Sequence, residues 1–173
     1  MAKREEWLIV DGYNVIGAIS PMRLHPTYLD EERNHLIRDL SEYQAVTGQQ
    51  VIVVFDAHFT KTSEVKSKQE KVTIYYTQYD ETADAFIERF VKKHKNPFRV
   101  IYVATSDQLE QRIVFGQGAY RKSARELIEE IELSKNKLSK KLEIKNTKKP
   151  KGSLAERLSD ELKKELEKLR RKK

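Results

Sequence analysis

Three apolar runs stand out along the chain. Trp7–Val10, Val51–Phe55 and Val100–Ala104 each lack the polar alternation of a half-exposed strand. Runs of this kind suit strands covered on both faces, as in a parallel α/β sheet. Between them the pattern changes to helical spacing. Leu29, Leu36, Ile37, Leu40 and Tyr43 predict a helix from a cap at Asp30 to about Val46, closed by Gly48. Ala83, Phe86, Ile87, Phe90 and Val91 form the apolar face of a helix over 80–91, ended by Asn96-Pro97. Strand, helix, strand implies a right-handed parallel crossover.

The remaining stretches fill in around these. Gly17 to Pro26, with Ser20-Pro21 and His25-Pro26, reads as loop, as does the polar stretch from His58 to Glu70. Lys71–Thr77 is a further strand candidate. Ser106 or Asp107 opens a short helix through Leu109, Ile113 and Val114, and Gly116-Gln117-Gly118 reads as a turn, because no strand precedes it and the third glycine of a dinucleotide fingerprint is missing. Ser123-Ala124-Arg125-Glu126 is a capping box for a helix using Leu127, Ile128, Ile131 and Leu133. Residues 145–152 combine a basic run with Pro150 and Gly152 and predict a linker. A second capping box, Ser153 to Glu156, opens a last helix with Leu154, Leu158, Leu162, Leu166 and Leu169 on one stripe. That stripe needs the body, another chain, or a ligand on which it orders. The expected organisation is a body over 1–144, a basic linker over 145–152 and a basic amphipathic helix over 153–173.

Charge sharpens this division. Residues 1–133 carry 18 basic against 21 acidic side chains, a balance of −3, whereas residues 134–173 carry 16 against 6, a balance of +10. A slightly acidic body with a strongly basic tail predicts a polyanionic partner, nucleic acid being the commonest. The sequence contains no Cys, which excludes disulfides, thiolate zinc sites and cysteine nucleophiles. The charged first residues and the short apolar run after them match neither a signal segment nor a membrane span. A cytoplasmic protein with no membrane association is expected, and a monomer is favoured.

Each apolar run ends in an acid at or just past its carboxyl end: Asp11, Asp56 and Asp107. Asp84 begins a helix that should start on the same edge. In open α/β sheets that edge holds ligands. Like charges ~4 Å apart repel by roughly 4 kcal/mol at an effective dielectric of 20, so gathered carboxylates call for a cation or raised pKa values. Oxygen donors without nearby Cys or ligand-spaced His favour Mg²⁺ or Mn²⁺. Such a centre activates water and stabilises the leaving oxygen of a phosphodiester. Asp11, Asp56, Asp84 and Asp107 are therefore the candidate metal and catalytic residues. Asn14 joins them as a catalytic candidate that orients ligands or water, with Thr105, Ser106 and Glu81 behind. Taken singly, each Asp is more often a turn or cap residue, and Glu81 and Glu88 equally suit the positive end of a helix. A haloacid-dehalogenase pattern is excluded because position 13 is Tyr, and the adjacent acids of a receiver domain are missing.

The motifs Asp11-Gly12-Tyr13-Asn14, Val53 to His58, Glu81-Thr82-Ala83-Asp84, Ala104 to Asp107 and Phe115 to Leu127 together resemble the bacterial YacP-like NYN-domain family of PIN-like nucleases. The resemblance covers about residues 7–133. It implies a PIN-like three-layer α/β sandwich around a mainly parallel central sheet, followed here by a basic C-terminal helical tail. It also implies a metal-dependent endoribonuclease that cleaves mRNA on the translating ribosome. Residue by residue, Asp11, Asp84 and Asp107 match the acidic metal site, Asp56 the acid after the second strand, and Asn14 the asparagine of the domain's name. Arg121, Lys122, Arg125, Lys148 and Lys149 are candidates for RNA backbone contacts, and Tyr13 or Tyr120 for stacking on an unpaired base. The competing reading is a non-catalytic PIN-like module that binds RNA or the ribosome.

Overall fold

A computed structural model describes residues 4–56, 65–106, 118–147 and 162. The chain divides into two compact units, residues 1–136 and 137–173.

The first unit is built on six strands: β1 (Glu5–Asp11), β2 (Gln50–Phe55), β3 (Val65–Gln69), β4 (Val72–Tyr76), β5 (Arg99–Ala104) and β6 (Tyr120–Lys122). They lie in the order β3-β4-β2-β1-β5-β6. All neighbours are parallel except β3, which runs antiparallel to β4 on one edge. The apolar runs become the sheet centre as expected. Leu8, Val10, Val51, Val53 and Phe55 are fully buried on one face, and Ile9, Val54, Ile101 and Val103 are buried on the other.

Helices α1 (Gly12–Ile19), α2 (Leu29–Thr47) and the start of α4 (Ala124–Thr147) cover the first face, while α3 (Ala83–His94) covers the second. This gives the expected three layers and the mainly parallel sheet. The chain winds from β1 outward through β2 and β4, then returns through α3 to β5 on the other flank of β1. The reversal point lies between β1 and β5, the crevice where open α/β sheets bind ligands.

Several elements differ from the pattern reading. The stretch after Asp11 is helical, because Asp11 caps α1 by accepting the Asn14 N–H at 3.2 Å and Val15 and Ile16 are buried. A 3-10 turn over Pro21–Leu24 follows where loop was expected. Asp30 does not cap α2. The helix starts one residue earlier, at Leu29, which is buried, and Asp30, Glu31 and Glu32 occupy its first turn, where acids complement the helix dipole. Gly48 closes α2 at φ 76°, a left-handed backbone that suits glycine.

Strand β3 also falls where polar loop was expected. It turns into β4 through Glu70-Lys71, with Glu70 at φ 56°, and a lysine-bearing edge discourages pairing with other chains. Along α4 the buried residues are Ala124, Leu127, Ile131 and Ser134, so Ser134 takes the inward position that Leu133 was expected to fill. Leu133 is 59% exposed.

In the second unit, α4 continues through Lys145–Thr147, because no helix breaker precedes Pro150. The expected last helix lies outside the described residues apart from Leu162, which is helical and exposed. No helix of the described residues is long and apolar enough to cross a membrane.

Candidate active site at the carboxyl edge of the sheet

Strand register lines up the edge residues. Val10 pairs with Ala104, so Asp11 and Thr105 come next on adjacent strands. Phe55 pairs with Tyr76, so Asp56 and Thr77 come next on the following pair. Asp11 is buried, and its strand neighbours alternate so that it shares the α3 face with Ile9. The first turn of α3, which carries the exposed Asp84, starts from this same edge after β4. Asp11 thus ends β1 beside the β1/β5 crevice, and Asp84 lies in the first turn of the helix that follows β4.

Hydrogen bonds tie this edge together. Asn14 Oδ1 accepts the Ser106 N–H at 2.6 Å, which pins the segment leaving β5 against the first turn of α1. Thr105, almost wholly buried, donates its N–H to the Lys122 carbonyl at 3.1 Å and extends the β5–β6 pairing. The asparagine's role here is positional, since its carbonyl oxygen fixes the residue before Asp107. Asp107 itself lies outside the described residues, as do Lys148 and Lys149.

Gly12 is where the backbone passes closest to a buried ring. A Cβ there would lie 2.2 Å from Phe55 Cε1, inside a buried ring that stacks on Tyr76 and tilts against Tyr13. The close passage of the β1–α1 turn over Phe55 is what aims Asp11 at the edge.

Two of the RNA-binding candidates belong to the interior. Tyr13 is 7% exposed, its ring packs on Phe55 at 5.1 Å, and its hydroxyl accepts from Arg33 Nη1 at 2.7 Å, so its face is not open to a base. Burial pushes the Tyr13 phenol above its ordinary range, the Arg33 bond offsets part of this, and Tyr76 and Asp56 add to it. Lys122 Nζ donates to Glu130 Oε2 at 2.6 Å and to the Tyr43 hydroxyl at 3.4 Å. It is a partly buried internal ion pair rather than a surface cation. Arg121, Arg125 and Tyr120 remain on the surface. Glu81 precedes α3 and chelates the Arg89 guanidinium with both oxygens, at 3.0 and 2.9 Å, which steadies the turn before Asp84.

Arg33 was not anticipated. It sits on the inward stripe of α2 between Leu29 and Leu36, bonds Tyr13, lies 6.0 Å over the Tyr76 ring and pairs with Asp30. The signal for it was an arginine four residues after Leu29 on an otherwise apolar face.

Asp11, Asp56 and Asp84 offer carboxylate oxygens and no sulfur or imidazole, a donor chemistry that fits a hard divalent cation. Among the described residues no three acidic or imidazole side chains form a ligand set by themselves.

Comparisons with known proteins agree with this architecture. The family model for the YacP-like NYN domain matches residues 8–171. YacP of Bacillus subtilis (strain 168) is 44% identical over 165 residues, covering 95% of this chain and 96% of that protein. A crystal structure of Rae1 (YacP) from Bacillus subtilis superposes with a TM-score of 0.73 at 43% identity, covering 95% of this chain and 94% of that one. A mutant form of the same protein gives 0.72 at 42% identity, covering 83% and 84%. With its mainly parallel sheet, its acid-bearing carboxyl edge and a match spanning nearly its whole length, the chain belongs to the YacP-like NYN domain family, whose members share a PIN-like nuclease fold.

Proposed function

We propose that the protein is a divalent-metal-dependent endoribonuclease that cleaves single-stranded RNA, specifically mRNA on the translating ribosome, in the cytoplasm. The reading is supported by the PIN-like nuclease fold of the family, together with Asp11 at the carboxyl end of β1 and Asp84 in the first turn of α3. Asp11, Asp56, Asp84 and Asp107 are the residues that would hold Mg²⁺ or Mn²⁺. A bound ion of this class supplies activated water and charge neutralisation at the phosphodiester. The chain's own contribution is placement. Gly12 lets β1 turn sharply beside Phe55, Asn14 holds Ser106, and Thr82 caps α3 through the Ala85 N–H at 3.2 Å. Arg121 and Arg125 are exposed beside β6, and the strongly basic 134–173 segment supports a polyanionic partner.

The test compares wild type with Asp84→Asn on single-stranded RNA, with and without ribosomes, in Mg²⁺, Mn²⁺ and EDTA. Cleavage by wild type in metal, lost in Asp84→Asn and in EDTA with folding intact, is the expected result. Cleavage that persists in EDTA refutes the metal reading, and equal activity in the variant removes Asp84. Binding without any cleavage moves the protein to the non-catalytic module. Deleting residues 146–173 is expected to weaken RNA or ribosome association and flatten its salt dependence.

A further inference from the structure

We propose that the cleft at the amino edge of the sheet, between the β3–β4 turn and the end of α2, is a second RNA site that holds backbone phosphates away from the scissile bond; this rests on the reading of RNA as substrate above. Its lining includes Gln44, Gln49, Gln50, Lys68, Lys71 and Thr73 around a volume of about 550 Å³. It lies at the far end of β2 from Asp56. The six residues of β2, at ~3.3 Å each, put roughly 20 Å between the two, so no single phosphate serves both.

The sheet explains why polar residues gather there. Its six strands, about 4.8 Å apart, span roughly 24 Å, whereas a helix is only about 10 Å across. Among the described helices α3 alone covers the second face, packing on Ile9, Ile52 and Val54 of the central strands. Thr73 pairs with Ile52 and stands opposite Lys68, so both belong to the corner of that face toward β3, beyond those central strands. Gln50, Lys68 and Lys71 are exposed there.

The cleft is braced, and its charge suits an anion. Gln44 accepts the Val51 N–H at 2.8 Å and donates to the Lys71 carbonyl at 3.2 Å, tying the start of β2 and the turn to α2. Gln49 commits its amide to Glu6 at 2.9 Å and to the Tyr43 hydroxyl at 3.0 Å, so it forms a wall rather than a ligand. Among the described residues the lining has no carboxylate and neither ammonium is ion-paired. Glu70, in the turn, is outside the lining. Two such ammonium groups, with the Thr73 hydroxyl and the Gln50 amide, match the oxyanions of a phosphodiester chain without reading its sequence. Lysines near a helix end or on an edge strand also answer the helix dipole and discourage strand pairing; those roles act on stability and solubility and leave RNA affinity alone.

The test measures RNA binding to the full chain carrying Asp84→Asn, in EDTA so that no cleavage intervenes, with single-stranded RNA and deproteinised ribosomal RNA as separate probes. Adding Lys68→Gln with Lys71→Gln is expected to raise Kd on the order of tenfold at about 0.1 M salt, and to lower the slope of log Kd against log salt by roughly 1.4, two contacts at ~0.7 each for a single strand. Lys68→Arg with Lys71→Arg keeps the parent Kd and slope. So does Lys92→Gln with Lys93→Gln, which removes the same charge from the exposed side of α3. The probe that responds identifies the source of the phosphates, substrate strand or folded RNA. Unchanged Kd on both probes overturns the inference whatever happens to Tm, as does an equal loss in the α3 control or a parent that binds neither RNA. Wild-type cleavage in Mg²⁺ or Mn²⁺ is scored separately, so loss of the nuclease reading and loss of this site give different results.

Discussion

Replacing Gly12 by alanine adds one methyl group where two effects oppose each other. Gly12 is the first residue of α1, and Gly→Ala inside a helix gains up to roughly 1 kcal/mol from backbone entropy and propensity. Against this, the new Cβ would lie 2.2, 2.5 and 2.9 Å from three atoms of the Phe55 ring, far inside the ~3.5 Å at which carbon atoms attract. The ring has nowhere to go. Phe55 is wholly buried, with Tyr13 at 5.1 Å and Tyr76 at 5.6 Å.

Overpacking of a filled core costs roughly 1–3 kcal/mol, and a clash this deep belongs at the upper end, leaving a net loss of about 2 kcal/mol. At about 2–4 °C per kcal/mol for a domain of this size, Tm should fall by roughly 4–8 °C. Thermal unfolding followed by circular dichroism reads this directly. Phe55→Leu combined with Gly12→Ala should cost less than the two single changes added together, since the smaller side chain makes room for the methyl. A Gly12→Ala protein as stable as wild type, or more stable, would refute the reasoning and assign the glycine to something other than the approach to Phe55.

Asn14→Ala removes the acceptor for the Ser106 N–H and should cost about 1 kcal/mol in stability; comparing kcat/KM with Tm should show a larger loss of cleavage than of folding, with Asn14→Asp retaining the fold. Ser123→Ala takes away the hydroxyl that accepts the Glu126 N–H at 3.1 Å, and the lost cap should cost about 1 kcal/mol at neutral pH. The Ser123 hydroxyl and N–H hold the Glu126 carboxyl below its usual range, so that stability exists above the unfolded value and is lost as pH falls through the folded one. Urea midpoints of wild type and Ser123→Ala should therefore converge in acid. Burial, helped by the bond to Glu130 at 2.6 Å, raises the Tyr43 phenol. Its contribution is complete below about pH 10 and declines as pH rises toward the folded value. Tyr43→Phe should cost about 1 kcal/mol at pH 8 and narrow its gap to wild type in alkaline urea titrations.

The amino-acid sequence by itself determined the layer architecture. Unbroken apolar runs are costly anywhere but between two covering layers, so Trp7–Val10 and Val51–Phe55 had to be central strands. The Ser123 capping box and the Gly48 stop depend on contacts within a few residues, which pattern reading captures, although α3 begins at Ala83 under a Thr82 cap rather than at residue 80. What only the tertiary structure decided involves partners far apart in the chain. Tyr13 became core because Phe55 and Arg33 close over it from β2 and α2. Lys122 was withdrawn from the surface by Glu130 and Tyr43, and Asn14 was turned to Ser106, 92 residues away. The polar strand β3 shows no hydrophobic period of its own and exists by pairing with β4. Periodicity records which side of an element faces inward; it holds no information about which distant side chain waits there, and a charged or aromatic residue takes its role from that neighbour.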